Sequence, residues 1–251
     1  MVRSTVMRAR GLTRDATADW DQLAVNGAVA STVDIARLPS LPEPVQRWLA
    51  HALPVDGRLP AAVELRMHGQ IRIGAWRRFC AVQRASVAYG FVWAATARMF
   101  GLPIVGFDRY TRESGEMRWR LLNLVPVTSA SGSDITRSAA GRHAAELLVA
   151  IPTVALDARV SWQPIDPSRA LARFALGRDV HEITVTVGPS GALEELVMMR
   201  WGTPAGSTLG FHVFGATLSD EGTFGGIAIP RRVTAGWHYG TDRWNEGAFI
   251  R

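Results

Sequence analysis

An aspartate and a tyrosine end the longest nearly uncharged segment of the chain, FVWAATARMFGLPIVGFDRY, which spans residues 91–110. Asp108 and Tyr110 stand two residues apart, so in a strand they lie on the same face. A carboxyl group beside a phenol could hold or protonate an oxygen atom of a ligand. In the alternative interpretation Asp108 caps a turn and Tyr110 packs at a sheet edge. We take both as candidate catalytic residues.

A second pair lies in the segment SAAGRHAAELLVAIP, which predicts a helix from Ser138, as N-cap, to Ile151, with Pro152 as its stop. His143 and Glu146 are three residues apart and share a helix face. They could form a general base with its orienting carboxylate, or half of a carboxylate metal site. A solvated helix face is the alternative. Glu146 precedes the apolar LLVAI, and apolar surroundings would raise its pKa and make it an acid.

Arg200 and His212 are the remaining candidates for chemistry. Arg200 ends an otherwise apolar strand, where it could pair with Glu146 or Asp108, or bind a ligand carboxylate in bidentate fashion. His212 lies in GFHVFG and is either an interior histidine or a reserve acid–base group. The six histidines have no metal-binding spacing, so no metal site is predicted.

Nine tryptophans are many for 251 residues. Core packing accounts for most of them, but cavities for apolar ligands are also lined by aromatic side chains with a few polar groups. We therefore predict a set of substrate-binding residues, which are Trp93, Trp119, Trp162, Trp201 and His143.

Composition excludes several classes of function. All 28 basic residues are arginines, so a lysine Schiff base, a pyridoxal-phosphate anchor and a P-loop lysine are impossible. Cys80 is the sole cysteine, and no cofactor-binding motif is present, so a cofactor-free protein is expected. The net charge of +6 is spread along the chain and does not indicate nucleic-acid binding. The N-terminus has no apolar signal region, so a cytoplasmic protein is expected.

The elements that must position these residues are mainly strands. The run from residue 91 to 110 is not a membrane span, because Arg98 and a cluster of Gly and Pro interrupt it, and two strands joined around Met99–Leu102 fit better. VELRMHGQIRI alternates apolar and polar residues, which predicts a half-buried strand followed by a hairpin at Gly74. GEMRWRLLNLVPV predicts one more strand, and LPEPVQRWLAHALP predicts a helix.

These elements predict a mainly antiparallel α+β fold. Nine or ten long strands must curl into a barrel or half-barrel, or split in two, and the few helices then cover the sheet. We expect the helix from Ser138 to Ile151 on its concave side. Residues 1–37 form a partly helical leader, with a short helix around Ala16–Val25, and residues 38–251 form a single ligand-binding domain.

An ordered set of short motifs resembles the DUF6544 family of bacterial proteins. In chain order they are LPEPVQRWL, WRRFCAVQ, FVWAA, DRY shortly before SGEM, AAELLVAIPT, Arg200 and GGIAIPRRVTAGW. The resemblance covers some 200 residues from Leu41 onward. It implies a β-rich fold like the half-barrels that carry lipids or lipoproteins, and it implies no established activity.

Two functions fit these observations. The first is a cofactor-independent cyclase or isomerase acting on a hydrophobic small molecule, as in natural-product biosynthesis. There Glu146 or Asp108 would be acid or base, Tyr110 and Arg200 would polarise a carbonyl, and the tryptophans would fold the substrate. The alternative is a carrier that binds a lipophilic ligand without changing it. The sequence favours the enzyme slightly.

Overall fold

The computed structural model describes residues 9–24, 34–54 and 60–251. Thirteen strands lie in this part of the chain, which is more than the sequence predicts. The strands are β1 (Ala62–Ile73), β2 (Ala75–Ser86), β3 (Gly90–Met99), β4 (Leu102–Thr111), β5 (Ser114–Leu121), β6 (Val125–Ser131), β7 (Val160–Pro164), β8 (Arg169–Leu176), β9 (Asp179–Val187), β10 (Leu193–Gly202), β11 (Gly210–Phe224), β12 (Ile227–Trp237) and β13 (Ala248–Ile250).

All thirteen strands belong to one antiparallel sheet, which confirms the predicted class. Their order is β6-β5-β4-β3-β2-β1-β13-β12-β11-β10-β9-β8-β7, so neighbouring strands are consecutive in the chain everywhere except where β13 pairs with β1. Among the described residues β6 and β7, at the two ends of this order, do not pair with each other. The sheet is therefore not closed into a barrel.

The helices are few and short apart from one. In the described ranges they are α1 (Arg14–Gln22), α2 (Glu43–Ala52), α3 (Ser133–Ala150) and α4 (Trp244–Gly247), with short 3-10 helices at Ile35–Ser40 and Pro152–Leu156. None of the helices in the described ranges is long and apolar enough to span a bilayer.

The predicted strands and hairpins are found with small differences. The run at residues 91–110 divides into β3 and β4, joined by Phe100 and Gly101, which both have positive φ. The segment predicted as one strand is two, β5 and β6, because Leu122 and Asn123 turn the chain with positive φ. The sequence pattern did not predict this turn because Leu122 is apolar, whereas residues with positive φ in such turns are usually Gly or Asn.

The helix α3 starts about one and a half turns before the predicted N-cap. Gly132 has a φ of 102°, which only glycine adopts easily, and it turns the chain from β6 into the helix. Asp134 then lies in the first turn, where a negative charge is favourable. Ser138 is therefore inside the helix, so the prediction that it is the N-cap is wrong.

The sheet bends around α3. This helix contacts β4, β5 and β6 towards one end of the strand order and β8, β9 and β10 towards the other. Its buried residues Ala144, Leu147 and Leu148 join the main core, which includes Phe91 and Phe174. The strands in the middle of the order, from β2 to β12, have fewer contacts with α3 or none, so the space between them and the helix is not filled by it.

The helix α1 packs on the opposite face of the sheet. Ala16 lies against Val82, Ala94 and Phe107 in a small separate core. The predicted helix at Ala16–Val25 thus lies slightly earlier in the chain, and the end of the predicted span falls outside the described residues.

Candidate functional site

A cavity of about 2290 Å³ lies between α3 and the middle strands of the sheet. The inward residues Val63, Leu65 and Met67 of β1 line it, and they alternate with exposed Glu64 and Arg66. The inward apolar side chains are only half-buried. The predicted alternation of β1 is therefore correct, but the inward face of the strand meets a cavity open to solvent rather than packed core.

One stripe of α3 faces this cavity. The stripe recurs every three or four residues and consists of Ile135, Ser138, Ala139, Arg142, Ala145, Glu146, Val149 and Ala150. Three of its members are alanines, which leave room next to the helix. Its two charged members, Arg142 and Glu146, bring charge into a wall that is mostly apolar.

Arg142 is the centre of a polar network in the cavity wall. Its Nη1 donates to Asp108 Oδ2 at 2.8 Å, and its Nε donates to Glu146 Oε1 at 2.6 Å. Gln83 Nε2 donates to the other oxygen of Glu146 at 2.7 Å, and Trp119 Nε1 donates to Asp108 Oδ1 at 3.1 Å. Each carboxylate of the network therefore accepts two hydrogen bonds and shares one guanidinium.

Burial and charge oppose each other in this network. Burial raises the pKa of the Asp108 carboxyl above its ordinary value, and the Arg142 guanidinium only partly offsets this effect. For Arg142, burial lowers the pKa, but the two carboxylates raise it by more. The guanidinium also lies over the rings of Phe91 and Trp93, 4.8 and 5.1 Å from their centroids. Two carboxylates and two aromatic rings therefore fix the position of the Arg142 guanidinium.

Arg200 is a second guanidinium in the wall of the cavity. Its Nε donates to the Ser138 carbonyl at 3.2 Å and its Nη2 to Ser138 Oγ at 3.3 Å, while Phe214 and Trp237 lie 4.8 and 5.3 Å from it. Among the described residues no carboxylate forms an ion pair with it. Burial, followed by repulsion from Arg142, lowers the pKa of Arg200 to about 10, so it stays charged at neutral pH.

A second pocket, of about 340 Å³, lies at another part of α3 and has Tyr110 and His143 in its wall. The His143 ring stacks on Phe91 and Tyr110, with centroids 5.6 and 5.8 Å apart. Neither ring nitrogen of His143 makes a hydrogen bond of normal geometry. Burial lowers the pKa of His143 to about 4, and burial raises that of Tyr110. Both groups are therefore neutral at pH 7.

The candidate catalytic residues are only partly brought together. Asp108, Glu146 and Arg200 border the large cavity, whereas Tyr110 borders the small pocket, although it shares a strand face with Asp108. His212 lies opposite Arg200 in the strand register, but its Nε2 contacts the Thr208 carbonyl at 2.8 Å. It is not part of the cavity wall.

The predicted substrate-binding residues divide in the same way. Trp93 and Trp119 line the cavity. Trp162 donates to the Ala155 carbonyl, and Trp201 donates to an oxygen of Asp134, so neither reaches the cavity. His143 faces the small pocket, not Glu146, so the predicted pair does not form a hydrogen-bonded unit.

The sequence predictions did not include Gln83, Arg142 or Trp237, which all line the cavity. The spacing of Arg142 and Glu146, four apart on a helix, is the standard spacing for an ion pair and could have identified Arg142. Gln83 and Trp237 gave no such signal, because strand pairing and not sequence distance brings them to the cavity. No three His, Cys, Asp or Glu side chains are grouped to hold a metal ion in the described ranges.

A family model with the description "Family of unknown function (DUF6544)" matches residues 31–248, which is most of the chain. No curated protein and no solved structure matches the chain. The family model carries no activity, so a functional conclusion must come from the geometry of the cavity.

Proposed function

The chain belongs to the DUF6544 family, a family of unknown function, and we propose that it binds a large lipophilic molecule with an anionic group in the cavity beneath α3. In this proposal the bent sheet is a half-barrel whose concave side holds the ligand. The observation that carries it is a large, mostly apolar cavity whose wall holds a guanidinium, that of Arg200, with no ion-pair partner in the described part of the chain.

The size of the cavity supports a large ligand. Pockets for drug-sized molecules usually have volumes of about 300–1,000 Å³, and this cavity is well above that range. Half-exposed apolar side chains such as Val63, Leu65 and Met67 would be covered by an acyl or isoprenoid chain. Covering apolar surface contributes about 25 cal/mol per Å², so an aliphatic chain along β1 would supply most of the binding free energy.

The charges in the wall support an anionic group on that ligand. Arg142 already shares its donors between Asp108 and Glu146. Arg200 uses only two of its nitrogens, and both donate to Ser138. A carboxylate or phosphate at Arg200 would give this buried guanidinium a direct ion pair, which no described residue provides, and the planar guanidinium suits both anions.

The positions of the candidate acid–base groups favour a protein that binds its ligand without catalysing a reaction. The two candidate carboxylates, Asp108 and Glu146, are paired with Arg142. Tyr110 lies in the other pocket, and His212 lies outside the cavity. The cyclase or isomerase remains a second candidate function for one reason: Asp108 faces the cavity with a raised pKa, which is the property of a general acid.

Binding can be tested with two matched probes, palmitate and cetyl alcohol, which differ in the anionic group. We expect the protein to bind palmitate at least tenfold more tightly. Arg200→Gln should bind both probes equally, and Leu65→Asp, which places a charge on the apolar inward face of β1, should bind neither well. Val180→Asp and Arg173→Gln, at outward positions on β9 and β8, are the matched controls and should behave like wild type.

Failure of both probes to bind, or an unchanged preference in Arg200→Gln, would contradict the proposal. Mass spectrometry of the recovered ligand separates the two functions. A ligand returned unchanged supports the carrier. A new isomer of the same mass, which Asp108→Asn no longer forms, would establish the enzyme.

A further inference from the structure

Three turns lie side by side at one end of the sheet. They join β1 to β2 at Gly74, β3 to β4 at Phe100–Gly101, and β5 to β6 at residues 122–124. The strands are neighbours in the sheet, and the Leu122 N–H donates to the Pro103 carbonyl at 2.8 Å, which joins the second turn to the third. We call the residues of these turns and the adjoining strand ends, 71–80, 97–107 and 117–131, the turn surface.

The turn surface exposes large apolar side chains at its tips. Phe100 is 82% and Leu124 is 74% exposed, and Leu102, Leu122 and Val125 are each about half exposed. In an antiparallel sheet a turn usually carries polar residues. Apolar side chains concentrated on two adjoining turns therefore indicate a surface that is covered by something in the functional state.

The charge of the turn surface has one sign. Its three segments contain six arginines and no aspartate or glutamate. Among the described residues no ion pair involves Arg77, Arg78, Arg98 or Arg120, and the Arg77 guanidinium lies over the Phe100 ring at 5.3 Å. Elsewhere on the sheet exposed arginines do have acidic partners, as Arg173 has Glu182.

We propose that the turn surface docks on an anionic lipid bilayer. Apolar tips with a surrounding ring of basic residues are the composition of interfacial membrane-binding surfaces, since Phe and Leu enter the acyl boundary while arginines contact anionic headgroups. A nucleic acid would account for the arginines but not for the apolar tips. Ile73 and Val127 belong to the turn surface and also line the cavity, so the docked end adjoins the cavity.

Vesicle flotation tests this proposal without any cavity ligand. The protein should float with vesicles of phosphatidylcholine and phosphatidylglycerol and at least tenfold less with phosphatidylcholine alone. Phe100→Asp/Leu124→Asp, in which aspartate tolerates the positive φ of residue 100, should lose at least tenfold in bound fraction. The double variant Arg78→Gln/Arg98→Gln should show the same tenfold loss in the fraction bound to anionic vesicles.

The matched control is Ile165→Asp/Val180→Asp, which removes two exposed apolar side chains remote in the strand order and should float like wild type. Turn-surface variants that float like wild type would overturn the proposal. The proposal would also be overturned if only the arginine variant lost vesicle binding and the protein bound an oligonucleotide, because the partner would then be a nucleic acid. All these variants should still bind palmitate in solution, so failure of docking is distinguishable from failure of the proposed cavity function.

Discussion

Neighbouring residues of β4 build two charge clusters on opposite faces of the same sheet. On the concave face Asp108 binds Arg142, which also binds Glu146, and we call this the inner cluster. On the convex face Arg109 binds Asp19 of α1 and Glu116 of β5, and we call this the outer cluster. Both contain one central guanidinium between two carboxylates.

The two clusters differ in what covers them. In the outer cluster α1 lies over the charges, and the side chains of Asp19 and Glu116 are 6% and 12% exposed. The Thr111 hydroxyl donates to Asp19 at 2.7 Å and fills one more acceptor site. The inner cluster faces the cavity, and the Glu146 side chain is 34% exposed. The same chemistry therefore fastens a helix on one face and leaves a wall accessible to a ligand on the other.

The largest effect that we predict is the loss of the inner guanidinium. Arg142→Met leaves Asp108 and Glu146 without their shared partner, and the free energy of unfolding should fall by about 3 kcal/mol near pH 8. Breaking a buried ion pair costs about 3–5 kcal/mol, and the partial exposure of Glu146 places this case at the lower end. The deficit should shrink as the pH falls, because protonation removes the unpaired charges. Chemical denaturation at several pH values measures it.

Arg118→Met is the matched control for that variant. Arg118 is 41% exposed and binds Glu116, which keeps Arg109 as a partner. Its loss should cost at most about 0.5 kcal/mol, as for most exposed ion pairs. Equal losses in the two variants would show that the clusters do not differ in the way that their covering suggests.

A second prediction concerns His143, which is buried without charge next to the small pocket. Its pKa is about 4 when folded and about 6.5 when unfolded, so between these values the unfolded chain binds more protons. The stability from this group is complete above pH 6.5 and is lost as the pH falls through that window. From about pH 8 to about pH 5 the loss should be about 2 kcal/mol.

The variant His143→Leu isolates this contribution. Burial lowers the pKa of His181 as well, which adds to the loss at low pH, whereas the raised pKa of Asp108 acts in the opposite direction. The difference in stability between wild type and His143→Leu, taken at each pH, cancels the contributions of His181 and Asp108. His68→Leu, at an exposed position on β1, should keep the slope of wild type. A wild-type slope in His143→Leu would mean that His143 is not the group that titrates.

Local patterns predicted the fold well and its closure poorly. Alternation along β1 and the interruption at residues 99–102 gave the hairpins, because strand period and turn chemistry are local properties. The split between β5 and β6 was missed because Leu122, an unusual residue for positive φ, makes that turn. The prediction of a barrel or half-barrel is not confirmed in its detail, because whether β6 meets β7 depends on curvature over the whole sheet, which no short segment specifies.

The site was predictable only where one element determines it. Asp108 and Glu146 stood out as charges within apolar segments, and both line the cavity. Tyr110 follows Asp108 on the same strand face, but the cavity ends between them because His143 fills the space next to Tyr110. Arg142 was missed although its spacing from Glu146 is regular, since an arginine on a helix is usually solvated.

The smallest effect that we predict is on the outer cluster and tests whether α1 is fastened by it. Asp19→Asn keeps an acceptor for the Thr111 hydroxyl but removes the charge opposite Arg109, which retains Glu116. Because Arg109 keeps one of its two carboxylate partners, the free energy of unfolding should fall by about 1 kcal/mol, the typical net contribution of a single hydrogen bond. The cost should appear as faster amide hydrogen exchange in α1, because the ion pair joins this helix to the sheet beside the apolar contacts of Ala16 and Trp20. Asp21→Asn, at an exposed position of the same helix, should leave that exchange unchanged. If Asp19→Asn instead altered exchange at Asp108 and α3, the two faces of β4 would be coupled, and the inner cluster could not be treated as an independent site.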